Sequence, residues 1–72
     1  MTADQRVILY TAPNCGTSDR AREDLKAAGV DFEERDVMAK KAWFDEALRY
    51  SIFVPIVIRG ANVEIGWKGA VG

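Results

Sequence analysis

Apolar and polar positions along the chain fall into six short runs. Val7-Ile8-Leu9-Tyr10 is continuously apolar and is stopped by Pro13-Asn14, which predicts a strand buried on both faces. From Gly16 the period changes. Ala21, Leu25 and Ala28 recur at helical spacing, charges from Arg20 to Lys26 fill the outer face, and Gly29 stands where a left-handed C-terminal residue is wanted. Val30 to Val37 alternates imperfectly and is rich in charge, as a half-solvated edge strand would be. Lys40 to Tyr50 puts Trp43, Phe44, Ala47 and Leu48 on one face, predicting a second helix with Trp43 and Phe44 in the core. Phe53 to Ile58 and Asn62 to Gly66 then read as two strands joined by a hairpin through Arg59-Gly60-Ala61-Asn62.

The predicted order is β-α-β-α-β-β. A right-handed crossover makes the first two strands parallel and the hairpin adds antiparallel ones, so the expected class is α/β with a four-stranded mixed sheet. Residues 1–72 are expected to form a single domain, because a chain this short buries only about 60% of its unfolded surface and has no material for a second core. The tail from Trp67 to Gly72 is too short and glycine-rich for another regular element.

Composition narrows the function. An apolar share of 49% and a charged share of 29% are those of a globular protein. Ten basic residues alternate with eleven acidic ones, leaving no basic field for nucleic acid. No run approaches membrane-spanning length. One cysteine cannot form an internal disulfide, and MTADQR lacks the apolar core of a signal peptide, so a reducing cytoplasmic setting is expected. The acids Glu33, Glu34 and Asp36 lack partner ligands and the chain has no histidine, so no mononuclear metal site is expected.

That cysteine, Cys15, lies in YTAPNCGTSDR, between the first strand and the first helix. A thiol reacts as thiolate, and unpaired N–H groups with the positive end of the helix dipole favour an anion there. Gly16 and Thr17 lack bulk and should leave the sulfur reachable, and the hydroxyls and N–H groups of Thr17 and Ser18 can donate to it. The alternative is a small buried hydrophobe, the commonest role of an unpaired cysteine. Pro55, at the start of an apolar run, marks a strand start or an edge.

Tyr10 to Ser18 after a strand, Val54-Pro55 about forty residues later, and a hairpin ending in glycine together resemble the glutaredoxins, small proteins of the thioredoxin fold, along nearly the whole chain. The resemblance implies Cys15 as nucleophile, Pro55 as a cis-proline facing it, and Val54 as the backbone clamp for an extended thiol substrate, commonly glutathione. Gly16, Thr17, Ser18, Tyr10 and Trp67 are then candidate substrate-binding residues. Tyr10 serves equally well as ordinary core.

Departures from the family pattern carry information too. Ser18 occupies the place of the second cysteine, so the implied chemistry is monothiol and an outside thiol must resolve any mixed disulfide. Ala12 replaces a basic residue, and Gly66-Trp67-Lys68-Gly69 stands where many relatives have a glycine pair followed by acids. The third helix of the family is short or missing. The chain is also similar to a branch with selenocysteine or cysteine at the nucleophile position. Three functions follow as expectations. The first is monothiol thiol–disulfide oxidoreductase, acting on protein or low-molecular-weight disulfides without a resident cofactor. Glutathione or a thioredoxin reductase system would supply electrons, with the chain a monomer or weak dimer. The second is an iron–sulfur carrier dimer bridged through Cys15 and glutathione. The third is a non-catalytic interaction module.

Overall fold

The computed structural model describes residues 7–69; residues 1–6 and 70–72, including the end of the glycine-rich tail, lie outside the described residues. The elements run β1 (Val7–Thr11), α1 (Gly16–Ala27), β2 (Phe32–Asp36), α2 (Lys41–Leu48), β3 (Ile56–Arg59) and β4 (Asn62–Ile65). They form a mixed sheet of order β2-β1-β3-β4, with β1 parallel to β2 and antiparallel to β3, and β4 antiparallel to β3. This is the α/β architecture that the hydrophobic pattern predicts.

β1 is central, and its unbroken apolar run reflects burial on both faces. On one face Val7, Leu9 and Val57 pack with Ala21 and Leu25 of α1, and Val30, Phe32 and Trp67 close the margin. On the other face Tyr10 and Ile56 pack with Val37 and with Ala47 of α2. α1 ends in two interlocking bonds: Gly29 N–H donates to Lys26 O and Val30 N–H donates to Leu25 O, each at 3.0 Å. Gly29 adopts φ +73, the left-handed conformation this termination needs, and the following Val30 is carried onto the Leu25 cluster. Ala28 is the C-cap and is exposed, so the apolar stripe of α1 ends at Leu25.

α2 departs from the expected pattern. Only Ala47 is buried; Trp43 is half-buried, and Phe44 and Leu48 are 41% and 47% exposed, so Trp43 and Phe44 are not core residues. The helix has eight residues and lies mainly against β2, which leaves room beneath it for one small side chain. Trp43 instead takes Lys40 Nζ over its ring at 4.5 Å.

β3 also starts later than the apolar run suggests. Phe53 is 49% exposed in a bend where its N–H donates to Ser51 Oγ at 3.0 Å, and the ladder begins at Ile56, just past the residue that has no N–H to give. The hairpin closes on Arg59 and Asn62, with Gly60 at φ +58 as the first turn residue, the arrangement of a type II′ turn.

Candidate active site

The loop after β1 is built by its own sequence. Pro13 fixes φ at the first turn position, and Asn14 adopts φ +59, which asparagine tolerates better than most residues. The chain then returns to extended geometry at Cys15 (φ −108, ψ 107), the N-cap of α1. Cys15 O accepts the first helical bond from Asp19 N–H at 3.0 Å, and Cys15 Sγ accepts from Ser18 N–H at 3.4 Å. The sulfur therefore does the work that serine, threonine or aspartate oxygens do at other helix starts. It also sits where the unpaired N–H groups of the first turn converge.

Two expectations about this motif are corrected. Cys15 is 8% exposed, so the thiol presents a narrow edge to solvent and is not openly reachable. It is nevertheless a member of neither aliphatic cluster. The helix-capping geometry draws the side chain inward over the first turn, while Gly16 beside it is exposed, with nothing within 4 Å of the place a Cβ would take. Ser18 is wholly buried, and its hydroxyl does not donate to the sulfur; Ser18 Oγ is without a hydrogen-bond partner among the described residues. The backbone N–H of Ser18, not its side chain, meets Cys15.

Tyr10 is corrected as well. It is 3% exposed on the α2 face of the sheet, where its hydroxyl donates to Glu46 Oε1 at 2.8 Å and accepts from Arg35 at 3.4 Å. Its ring lies 6.4 Å from that of Tyr50. Burial and the Glu46 carboxylate push the Tyr10 hydroxyl above its ordinary pKa. Tyr10 is a core residue and is not among those lining the groove next to Gly16 and Thr17.

Val54 and Pro55 follow from the register. Tyr10 pairs with Ile56, so the loop before β3 reaches the same end of the sheet as the loop holding Cys15. The Val54–Pro55 peptide bond is cis; Pro55 is buried and Val54 half-buried. Pro55 O accepts from Gly66 N–H at 2.7 Å, tying this loop to the turn that follows β4.

Beside Cys15, a groove of about 350 Å³ is lined by Gly16, Thr17, Arg20, Trp67 and Lys68. Trp67 thus lies where a groove residue was expected. Its place is fixed by a residue that the sequence reading did not single out: Asp24, one helical turn beyond Arg20, accepts from Trp67 Nε1 at 2.7 Å and pairs with Lys68 Nζ at 3.3 Å. Trp67 first, then Lys68, holds the Asp24 carboxyl below its ordinary range. The Arg20/Asp24 spacing on one helix face was the available sequence signal. Across α1, Arg22 forms a two-pronged pair with Glu34 at 2.8 Å and also binds Asp19, while Thr11 Oγ1 donates to Glu34 at 3.0 Å. These bonds keep the Glu34 carboxyl low and tie the helix that carries Cys15 to the edge strand β2.

Among the described residues, no group of three or more His, Cys, Asp or Glu side chains is placed to hold a metal ion, and no helix is long and apolar enough to cross a membrane.

A helix-capping thiol and a cis-proline loop at the same end of a four-stranded mixed sheet are the arrangement of the thioredoxin-like fold. The glutaredoxin family model matches residues 7–63, and the chain belongs to the glutaredoxin family. Its similarity to the Gene 56 protein of Mycobacterium phage L5 is 35% identity over 61 residues, 82% of this chain and 59% of that protein. The chain thus spans less than two thirds of that relative's length. The crystal structure of the glutaredoxin (grx-1) from Archaeoglobus fulgidus is similar at a TM-score of 0.76 and 26% identity, covering 92% of this chain and 79% of that one.

Proposed function

We propose that this glutaredoxin-family chain is a monothiol thiol–disulfide oxidoreductase with Cys15 as its nucleophile. The observation that carries the reading is the position of Sγ: it caps α1, accepts the Ser18 N–H at 3.4 Å, and is bordered by an open backbone at Gly16. A charge developing on that sulfur meets the first-turn N–H groups and the helix dipole.

In the first step Cys15 thiolate attacks one sulfur of a substrate disulfide. The substrate S–S bond breaks, a new S–S bond joins Cys15 to one half, and the other half leaves as thiolate. In the second step an external thiolate attacks the substrate-derived sulfur of this mixed disulfide, and Cys15 leaves as thiolate. The external thiol is oxidised into the departing disulfide, and the electron pair that reduced the first leaving group is thereby replaced. Ser18 has no sulfur, so the resolving thiol must come from solution. We assign that role to a small thiol of the glutathione type, with Val54 presenting its backbone to the extended substrate. Arg20 and Lys68 face an anionic portion of it across the groove. No resident cofactor enters either step. The chemistry suits a reducing compartment such as the cytoplasm.

The test is turnover of a peptide–glutathione mixed disulfide with excess glutathione, comparing the native chain with Cys15→Ser. Serine is a good N-cap, so this variant retains the fold. Catalysis is expected to vanish with unchanged circular dichroism. Activity surviving in the variant would remove Cys15 from the mechanism.

A further inference from the structure

The two edges of the sheet differ in a way that the redox chemistry does not explain. The β2 edge carries Glu33, Glu34, Arg35 and Asp36, four consecutive charges of the kind that discourage strand addition. The β4 edge reads Asn62-Val63-Glu64-Ile65, has a single charge and no proline, pairs among the described residues with β3 alone, and is exposed at every residue. Val63 and Ile65 are 43% and 40% exposed. Val63 also ends a row of β-branched side chains in direct register across three strands, Ile8 opposite Ile58 and Ile58 opposite Val63.

The backbone pattern on this edge is set. Gly66 N–H donates inward to Pro55 O, and hydrogen-bonded pairs alternate along an antiparallel ladder, so Asn62 and Glu64 bond to β3 while Val63 and Ile65 direct N–H and C=O outward.

We infer that β4 is the interface of a two-fold dimer, in which β4 of a second copy adds antiparallel and joins the two sheets into one of eight strands. Outward-pointing groups allow two-folds centred on Val63, Glu64 or Ile65; the last would pair Val63 with Trp67, past the end of β4 where Gly66 turns to φ +86. Centring the two-fold on Glu64 places Glu64 directly opposite its own copy, and like charges in that position destabilise a pair. Centring it on Val63 pairs Val63 with Val63 through both backbone bonds and sets each Glu64 opposite the Asn62 amide of the other copy. Relief of the Glu64–Glu64 repulsion, with an amide donor offered to each carboxylate, selects the register centred on Val63. The Ile8–Ile58–Val63 row then continues into its symmetry copy as six β-branched residues on one face. This contact leaves Cys15 free, at the end of the sheet.

The experiment is sedimentation velocity of the full chain in reducing buffer, so that no Cys15 disulfide contributes, over about 10 μM to 1 mM. The native chain is expected to show a reversible monomer–dimer equilibrium in this range. Val63→Pro removes an N–H that faces solvent in the monomer and should abolish the dimer with circular dichroism preserved. Should that variant unfold, Asn62→Lys and Asn62→Glu decide the matter. The first sets an ammonium group against Glu64 of the other copy and should tighten the dimer about five-fold; the second sets like charges together and should weaken it about as much. A native chain that stays monomeric throughout, a folded Val63→Pro variant as dimeric as the native chain, or position-62 variants that leave the equilibrium unmoved would overturn the assignment.

Discussion

Both faces of the sheet bury their central strands, but α1 seals Leu9 and Val57 with Ala21 and Leu25 at 2% exposure or less, whereas over Tyr10 and Ile56 α2 sends in Ala47 alone, and Phe44, Leu48, Val63 and Ile65 stay at least 40% exposed. The difference follows from helix length and side-chain size. α1 has twelve residues, a two-bond termination at Gly29 and a cross-link to β2 through Arg22 and Glu34; α2 has eight residues and lies over one edge of the sheet. Cys15 caps the helix that packs on the sealed side, so the position of its sulfur is tied to that core.

The sharpest way to break this contrast is to truncate one large side chain on each face. Leu9→Ala, in the sealed cluster, is expected to cost about 3 kcal/mol in urea unfolding. Phe44→Ala on the outer face of α2 should cost less than about 1 kcal/mol. Equal losses would mean that α2 packs more tightly than its exposed side chains indicate.

Glu34→Gln tests the cross-link that holds α1 to β2. It weakens the hydrogen bonds from Arg22 and Thr11 and should lower stability at pH 7 by about 1 kcal/mol. The pH dependence has a defined sign. Arg22 chiefly, with help from Thr11, holds the folded Glu34 carboxyl below its ordinary range, so the unfolded chain binds the proton more readily. The stabilisation is therefore complete above the ordinary glutamate range of about 4.3 and is lost as pH falls through the lower folded value. Urea midpoints of the native chain should fall over that acid interval more steeply than those of the variant. Parallel curves would show that the Arg22–Glu34 pair contributes nothing.

Replacing Asn14 addresses the turn that presents Cys15. Asn14→Ala should lower stability by about 1 kcal/mol because alanine resists φ +59, while Asn14→Gly should be nearly neutral. A smaller effect is expected at the groove wall. Asp24→Asn keeps an acceptor for Trp67 but removes the charge facing Lys68. It should shift KM for an anionic mixed disulfide several-fold and leave kcat unchanged; an altered kcat would place Asp24 closer to the chemistry than the groove geometry does.

Much of the fold was legible because its signals are local. The uninterrupted Val7 to Tyr10 run, the helical spacing of Ala21 and Leu25, Gly29 past the helix end and Gly60 in the hairpin each encode their conformation within a few residues. Cys15 at a helix start was readable for the same reason. What could not be read depends on distance in sequence. Trp43 and Phe44 have a core-like pattern, but the placement of α2 over β2 decides that neither is buried. Tyr10 fits groove or core equally until Glu46 and Arg35 are seen to hold its hydroxyl on the α2 face. Asp24 meets Trp67 across 43 residues, a pairing that no window along the chain contains.

The central claim, that the sulfur capping α1 is the reacting atom, is met most directly by a single turnover followed by intact mass. The reduced chain is mixed with one equivalent of a peptide–glutathione mixed disulfide and quenched in acid. The account predicts release of the peptide thiol together with one glutathionyl group on Cys15, which a second thiol then removes. Peptide release no faster than with free cysteine, or a chain that acquires no adduct, would contradict it.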